Sequence, residues 1–335
     1  MLTRQADSSG GAMPNSKEGA ETTIAAQRVA VLIPCYNEET AIATVVAQFR
    51  SALPDASIHV YDNNSTDRTF DAASAAGASV RREPLQGKGH VVRRMFADVE
   101  ADVYVLVDGD ATYDAPSAPM MIAKLLDEHL DMVVGARVDQ QQEAYRLGHR
   151  LGNRMLTGFV SEVFEATFSD MLSGYRVFSR RFVKSFPVLS GGFEIETELT
   201  VHALELGLPV TEVKTPYYAR MEGSTSKLNT YRDGFRILWM IARLYKSERP
   251  LRFFSSIGSF LALISIGLAT PIFITFLREG IVPRLPTAIL ATGLMLLAFL
   301  ALTCGIILGT VTRGRREVKL LAYLAQQGPG ERTKA

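Results

Sequence analysis

Two carboxylates one residue apart, Asp108 and Asp110, close the apolar run from Val103 to Val107. A run that is continuously apolar, without polar alternation, fits a strand buried on both faces. Ligand sites in sheets of that kind lie just beyond the carboxyl ends of the strands. Hard oxygen ligands in such a place suit a Mg2+ or Mn2+ ion carrying a substrate diphosphate, and residues two apart on an extended segment can share one cation. The same residues also read as a solvated turn, because Asp-Gly is a favoured turn pair.

Stepping from the acidic pair to the elements that must carry it, strands are predicted at residues 28–34, 57–61, 78–82 and 132–135, beside the one ending at Asp108. Helical patterns cover 39–52, 66–76, 90–100 and 116–128, and this alternation predicts an α/β fold with a parallel, doubly wound sheet. The stretch Gly87-Lys88-Gly89 has neither the spacing and hydroxyl of a P-loop nor the third glycine of a dinucleotide fingerprint. A kinase, an ATPase and a dehydrogenase are set aside on that ground.

The formal charge of +1 over 335 residues leaves no broad polyanion surface, so nucleic acid is not an expected partner. Residues 1–27 hold almost nothing to bury and read as a disordered tail without a signal-peptide core. Cys35 and Cys304 lie far apart and fit no metal or disulfide spacing, as expected for a reduced, cytosol-facing body.

The last third differs. No charge occurs from Phe253 to Leu277 or from Leu285 to Val311, and each stretch exceeds the roughly 20 residues a bilayer-spanning helix needs. Lys246, Arg249 and Arg252 precede the pair, and Arg313, Arg315, Arg316 and Lys319 follow it. The basic excess predicts a multi-pass hairpin of the cell (inner) membrane with both flanks and the catalytic body in the cytoplasm, and 312–335 as a cytoplasmic tail. Tyr231–Lys246 groups Phe235, Leu238, Trp239, Ala242 and Tyr245 apart from Arg232, Arg236 and Arg243. Within 231–252 this fits an amphipathic juxtamembrane helix lying in the headgroup boundary, or one packed on the protein's own core.

The first strand runs into Ile33-Pro34-Cys35-Tyr36-Asn37-Glu38-Glu39 and the second into Asp62-Asn63-Asn64-Ser65-Thr66-Asp67. With Gln86-Gly87-Lys88-Gly89 and Asp108-Gly109-Asp110, these segments resemble the inverting glycosyltransferases of family 2, which have the GT-A fold. Ser169-Asp170-Met171-Leu172-Ser173-Gly174-Tyr175-Arg176 and Ser224-Thr225-Ser226-Lys227-Leu228 are similar to the polyprenyl-phosphate sugar synthases. That branch includes dolichyl-phosphate mannosyltransferase and the bacterial undecaprenyl-phosphate glucosyltransferases. The resemblance spans residues 28–230 in motif order, and the C-terminal hairpin is similar to the bacterial branch.

The resemblance implies a Rossmann-like GT-A domain that moves a sugar from a UDP- or GDP-linked donor to a polyprenyl phosphate, for cell-envelope glycosylation. It implies donor contacts from Pro34, Tyr36, Glu38, Asp62, Lys88, Asp108, Gly109, Asp110, Arg220, Ser226 and Lys227. Asp110 would contact Mg2+ or Mn2+ directly, with Asp108 acting on the ribose or through water. Asp170 corresponds to the acceptor-side carboxylate, as base or as orienter, and Arg137 and Arg146 to phosphate-contacting positions. Asp110, Asp170 and Arg146 are the expected catalytic residues, Glu194, Glu196 and Glu198 form an acidic segment facing the site, and a homo-oligomer is implied.

Physical readings stand beside these assignments. A carboxylate such as Asp62 commonly fixes ribose hydroxyls, though it also serves an Asx-turn. Glycines at 87 and 89 would let the backbone approach a ligand, or would simply make a flexible loop. Asp170 also fits a cap beside Ser169. Arg146, Arg150 and Arg154 recur at helical spacing beside Leu147, Leu151 and Met155. Such a basic stripe along an apolar one suits a phosphate headed by a long hydrocarbon, as does an ordinary solvated face. Arg150 joins Arg137 and Arg146 as an acceptor-phosphate candidate. Two rivals remain: a processive polysaccharide synthase and a non-catalytic membrane adaptor. The first carries a Gln-x-x-Arg-Trp motif, whereas the single tryptophan here, Trp239, follows Arg-Ile-Leu; intact Asp108, Asp110 and Asp170 argue against the second.

Overall fold

The computed structural model describes residues 27–139, 158, 168–192, 194–220, 239 and 242–328. They fall into two units, one holding the residues up to Ser226 and from Tyr323 on, the other Lys227–Ala322.

The first unit is built on a seven-stranded sheet. Its strands are β1 (Val29–Cys35), β2 (Ser57–Asp62), β3 (Ser79–Arg82), β4 (Val103–Leu106), β5 (Met132–Asp139), β6 (Arg176–Ser179) and β7 (Val210–Tyr217), in the order β3-β2-β1-β4-β6-β5-β7. Its helices are α1 (Ile42–Ala52), α2 (Thr69–Ala75), α3 (Lys88–Asp98), α4 (Ala118–Asp127), α5 (Arg180–Ser185) and α6 (Ile195–Leu206). Every residue of β1 is buried, and its side chains alternate between two cores. Val31, Ile33 and Cys35 join Phe49, Met121 and Tyr175 on one face, while Ala30 and Leu32 join Met95, Phe178 and Phe182 on the other. A strand covered on both faces must be apolar throughout, which is the pattern seen in its sequence. Helix α1 buries Ile42, Val45, Val46 and Phe49, the spacing of one helical face.

The sheet departs from the expected all-parallel arrangement. β1 pairs in parallel with β2 and β4, but β6 runs antiparallel between β4 and β5. Helix α2 begins at Thr69 rather than near residue 66, because Asp67 Oδ1 accepts bonds from the Thr69 amide (3.0 Å) and hydroxyl (2.5 Å). Helix α3 begins at Lys88, so Lys88 and Gly89 are helical rather than loop residues. Tyr323 is buried in the second core, where its hydroxyl donates to Asp131 Oδ2 at 2.7 Å and the Arg181 guanidinium lies 4.3 Å from its ring centroid.

Two helices are long and apolar enough to cross a membrane: α7 (Pro250–Glu279), in the second unit, and α8 (Leu285–Leu324), in the second unit up to Ala322. Small residues set their approach: a Cβ on Gly258 would stand 2.9 Å from the Ala298 carbonyl, and Ser265 Oγ donates to Ala291 O at 2.7 Å. Of the expected amphipathic helix, residues 231–238, 240 and 241 lie outside the described residues, while 242–248 are helical.

Candidate active site

At the carboxyl ends of β1 and β2, side chains lace two loops together, among them the carboxylates of Asp67 and Glu39, which accept from the Glu39 amide (3.2 Å) and the Arg68 amide (2.7 Å). Ser65 Oγ accepts from the Asn37 amide (2.9 Å), Asn37 Oδ1 accepts from the Thr66 amide (2.8 Å), and Thr69 Oγ1 accepts from the Glu38 amide (2.8 Å). Asn37 holds φ +53, a left-handed conformation that asparagine tolerates. Asn63, buried behind the rim, donates to Glu83 O and Leu85 O and accepts from the Gly87 amide at 2.6 Å. These bonds present Pro34, Tyr36, Glu38 and Asp62 along one edge. Asp62 is buried; its Oδ1 accepts from the Ser65 amide, three residues on, at 3.3 Å, and its Oδ2 lies 3.8 Å from Arg82.

The acidic pair stands next along the rim. Asp110 is buried, with Oδ1 accepting from Thr112 Oγ1 at 2.6 Å and Oδ2 paired to the Arg220 guanidinium at 2.8 Å. Asp108 Oδ1 accepts from Lys88 Nζ at 2.5 Å, and the same ammonium donates to Glu196 Oε1. Burial alone would push the Lys88 ammonium down, but Asp108 and Glu196 outweigh it and its pKa is raised. Gly109 is required by packing, since a Cβ there would stand 2.5 Å from Cys35 Sγ. Burial, foremost, raises the pKa of that thiol well above its ordinary value and keeps it protonated.

Gly87 and Gly89 have a reason the sequence did not reveal. A Cβ on either would lie 2.0 Å from Gly191 O or 2.1 Å from Ser190 O. These glycines permit a close approach of the chain's own 190–191 backbone. Gly87 also takes φ +132 as it caps α3.

Across β6 and β5 the rim is charged. Arg137, in β5, grips Asp170 through Nε (2.6 Å) and a terminal nitrogen (2.8 Å), and its guanidinium lies 5.5 Å from the Tyr217 ring centroid. Glu212 accepts from the Ser169 and Asp170 amides. The Ser173-Gly174 turn brings this side against the acidic pair, because a Cβ on Gly174 would stand 2.4 Å from Asp108 Oδ2. Tyr113 Oη accepts from the Gly174 amide at 2.9 Å. Arg176, fully buried, donates to Ser173 O (3.0 Å), Met171 O (2.5 Å) and Thr200 Oγ1 (2.8 Å), and burial lowers its pKa to about 10.

Pro34, Tyr36, Glu38, Asp62, Lys88, Asp108, Gly109 and Asp110 thus sit around neighbouring strand ends, with Arg220 paired to Asp110 and Arg137 to Asp170. Arg146, Arg150, Ser226 and Lys227 lie outside the described residues. In the acidic segment, Glu196 reaches Lys88, whereas Glu198 bonds the Leu189 and Ser190 amides. Sequence reasoning missed Gly174 and Arg176 as supports of the site, and Asn63 as the tie between loops. All three stood inside quoted motifs, but only contacts distant in sequence reveal what they do.

Residues 30–186 match the family Glycosyl transferase family 2. The chain is 37% identical over 243 residues to the glycosyltransferase AglJ of Haloferax volcanii, covering 72% of this chain and 80% of AglJ. It is 28% identical over 221 residues to a dolichyl-phosphate hexose transferase of the same organism, covering 66% of this chain and 95% of that protein. Among solved structures, glucosyl-3-phosphoglycerate synthase from Mycobacterium tuberculosis in complex with Mn2+, uridine diphosphate and phosphoglyceric acid is similar with a TM-score of 0.55 at 24% identity. That match covers 68% of this chain and 81% of the other. The fold is GT-A, and the chain belongs to glycosyltransferase family 2. It is a glycosyltransferase with a nucleotide-sugar donor.

Proposed function

We propose that this enzyme transfers a sugar, with inversion, from a UDP- or GDP-linked donor to a polyprenyl phosphate at the cytoplasmic face of the cell membrane. The observation that carries the reading is the pair Asp108 and Asp110 at the sheet rim, each already opposed by a cation of the chain itself. The dolichyl-phosphate hexose transferase relative supports a lipid phosphate acceptor, and the two apolar helices with basic flanks support its place at a membrane.

Mg2+ or Mn2+ fits the donor set. Magnesium is typically held by one or two carboxylates, with water and substrate phosphates completing its shell. No group of three or more His, Cys, Asp or Glu able to hold a metal occurs among the described residues, so a shared diphosphate would supply the remaining oxygens. When bound, the ion would neutralise charge developing on the diphosphate leaving group.

The chain's own residues do the rest. The loops after β1 and β2 hold the base and ribose, with Asp62 facing the ribose hydroxyls. Arg220 exchanges Asp110 for donor phosphate. The acceptor arrives already anionic, because the second pKa of a phosphate monoester is about 6, so little is asked of a general base. One acceptor oxygen forms the new bond to the anomeric carbon as the bond to the nucleoside diphosphate breaks, and the electron pair leaves with the diphosphate. Asp170 orients Arg137 for the acceptor phosphate, since the bidentate pair commits both carboxylate oxygens to that guanidinium. In this reading residues 28–230 form the transferase domain, 231–252 a juxtamembrane helix, and 253–277 and 285–311 the membrane spans.

The test is to incubate purified protein with polyprenyl phosphate and a panel of nucleotide-sugars, reading lipid masses. A mass gain of one sugar residue on the lipid phosphate is expected. Polymer release without sugar-lipid would favour a polysaccharide synthase and sink the proposal.

A further inference from the structure

Helix α6 places Glu196 in its first turn, and the side chain is nearly buried. Among the described residues its side-chain hydrogen bond comes from Lys88: the ammonium, on a side chain 10% exposed, spans Glu196 Oε1 and Asp108 Oδ1. Both ends of this bridge are fixed. Lys88 opens α3 immediately after Gly87, whose conformation and whose contact with the Gly191 carbonyl leave the backbone no room to shift. Glu198, two residues on from Lys88's partner, ties down Leu189 and Ser190 through their amides and the Ser190 hydroxyl. Glu198 thus ties Leu189 and Ser190 to the first turn of α6, and that turn brings Glu196 to Lys88 at the start of α3.

The charge balance of this triad has a direct consequence. An ammonium facing Asp108 alone would make a neutral pair, and a divalent ion approaching Asp108 would have to compete with it. An ammonium shared between two carboxylates leaves a net single negative charge and divides its hydrogen bonds. We infer that Glu196 is a positioning residue that draws the Lys88 ammonium partly off Asp108 and so keeps that carboxylate able to take a divalent cation. This inference rests on the metal reading proposed above. It assigns Glu196 to charge balance, and it shifts Lys88 from a donor contact to the regulator of Asp108.

The test uses the full-length protein in detergent with a saturating nucleoside diphosphate (uridine or guanosine) to complete the ion's shell, and follows free Mn2+ by electron paramagnetic resonance against a protein-free control, with no acceptor or turnover involved. E196Q is expected to weaken Mn2+ binding about tenfold, the scale on which one neighbouring charge moves an equilibrium at a partly buried carboxylate. In K88M/E196Q the competing ammonium is gone and binding should return to the parent level. E196D keeps the charge on a shorter stem and should bind Mn2+ better than E196Q. Parent-like affinity in E196Q would overturn the inference, as would a double variant no better than E196Q, or equal losses in E196Q and E196D. A parent protein that binds no Mn2+ would instead overturn the metal reading itself, so the two failures are distinguishable.

Discussion

On the β3-β2-β1-β4 side of the sheet, the rim is tied chiefly by neutral side chains bonding to backbone: Ser65 and Asn37 across two loops, beside the carboxylates of Glu39 and Asp67, and Asn63 beneath a third. On the β6-β5-β7 side it is tied by charge, through Arg137 with Asp170 and through Glu212. Bonds from side chain to backbone set a shape and offer no clamp for a phosphate to open, which suits a base and ribose that carry no charge. Charged clamps store partners that an incoming phosphate can replace, because guanidinium accepts carboxylate and phosphate with the same fork. The acidic pair lies at the junction and borrows a cation from each direction, Lys88 from α3 and Arg220 from beyond β7.

The hardest way to break this comparison is at the junction. Asp110→Ala should reduce transfer on the order of a thousandfold or more, since a metal's charge stabilisation is worth several kcal/mol, with membrane insertion unchanged. Sugar incorporation into lipid measures the loss, and normal turnover would overturn the metal assignment. On the charged side, Arg137→Lys keeps the charge but loses the fork. It should lower kcat/KM roughly ten- to a hundredfold, raising the acceptor KM more than the donor KM. Equal effects on both substrates would erase the division of labour between the two sides.

On the neutral side, Asn63→Ala strips partners from Glu83 O, Leu85 O and the Gly87 amide. A loss of about 1–3 kcal/mol in denaturant unfolding is expected, together with a higher donor KM and an unchanged acceptor KM. A rise in acceptor KM alone would contradict the assignment. The smallest effect lies away from both rims. Asp102 is held below the usual carboxylate range, chiefly by its bond from the Arg28 side chain. A depressed folded pKa stabilises above the unfolded value of about 3.9 and loses that contribution as pH falls through the folded one. Asp102→Asn should therefore cost about 0.5 kcal/mol at neutral pH, because the pair is largely solvated. The gap in melting temperature to the parent should close in strong acid; a gap that widens there would refute the sign.

Much of the site was legible because β1, β2 and β4 each run from an apolar core strand into a polar motif, and that transition marks a ligand-bearing rim. The start of α3 was not legible. Glycine is a poor helix former, so Gly87-Lys88-Gly89 reads as loop until the Ser190 and Gly191 carbonyls are seen pressed against it. β6 escaped notice because it opens with an arginine, which is rarely buried unless its donors are satisfied; here Met171, Ser173 and Thr200 satisfy them. β7 carries Pro216 near its end, which weakens a strand pattern. The antiparallel insertion of β6 followed from neither.

Local chemistry in the chain settled which residues gather at the rim and that two long apolar helices follow them, because strand burial, turn preference and span length are properties of short segments. The pairing of charges was settled elsewhere. Whether Lys88 faces a donor or two carboxylates, and whether Asp170 is spent on Arg137, depends on side chains distant in sequence meeting in space, where burial leaves few partners within reach.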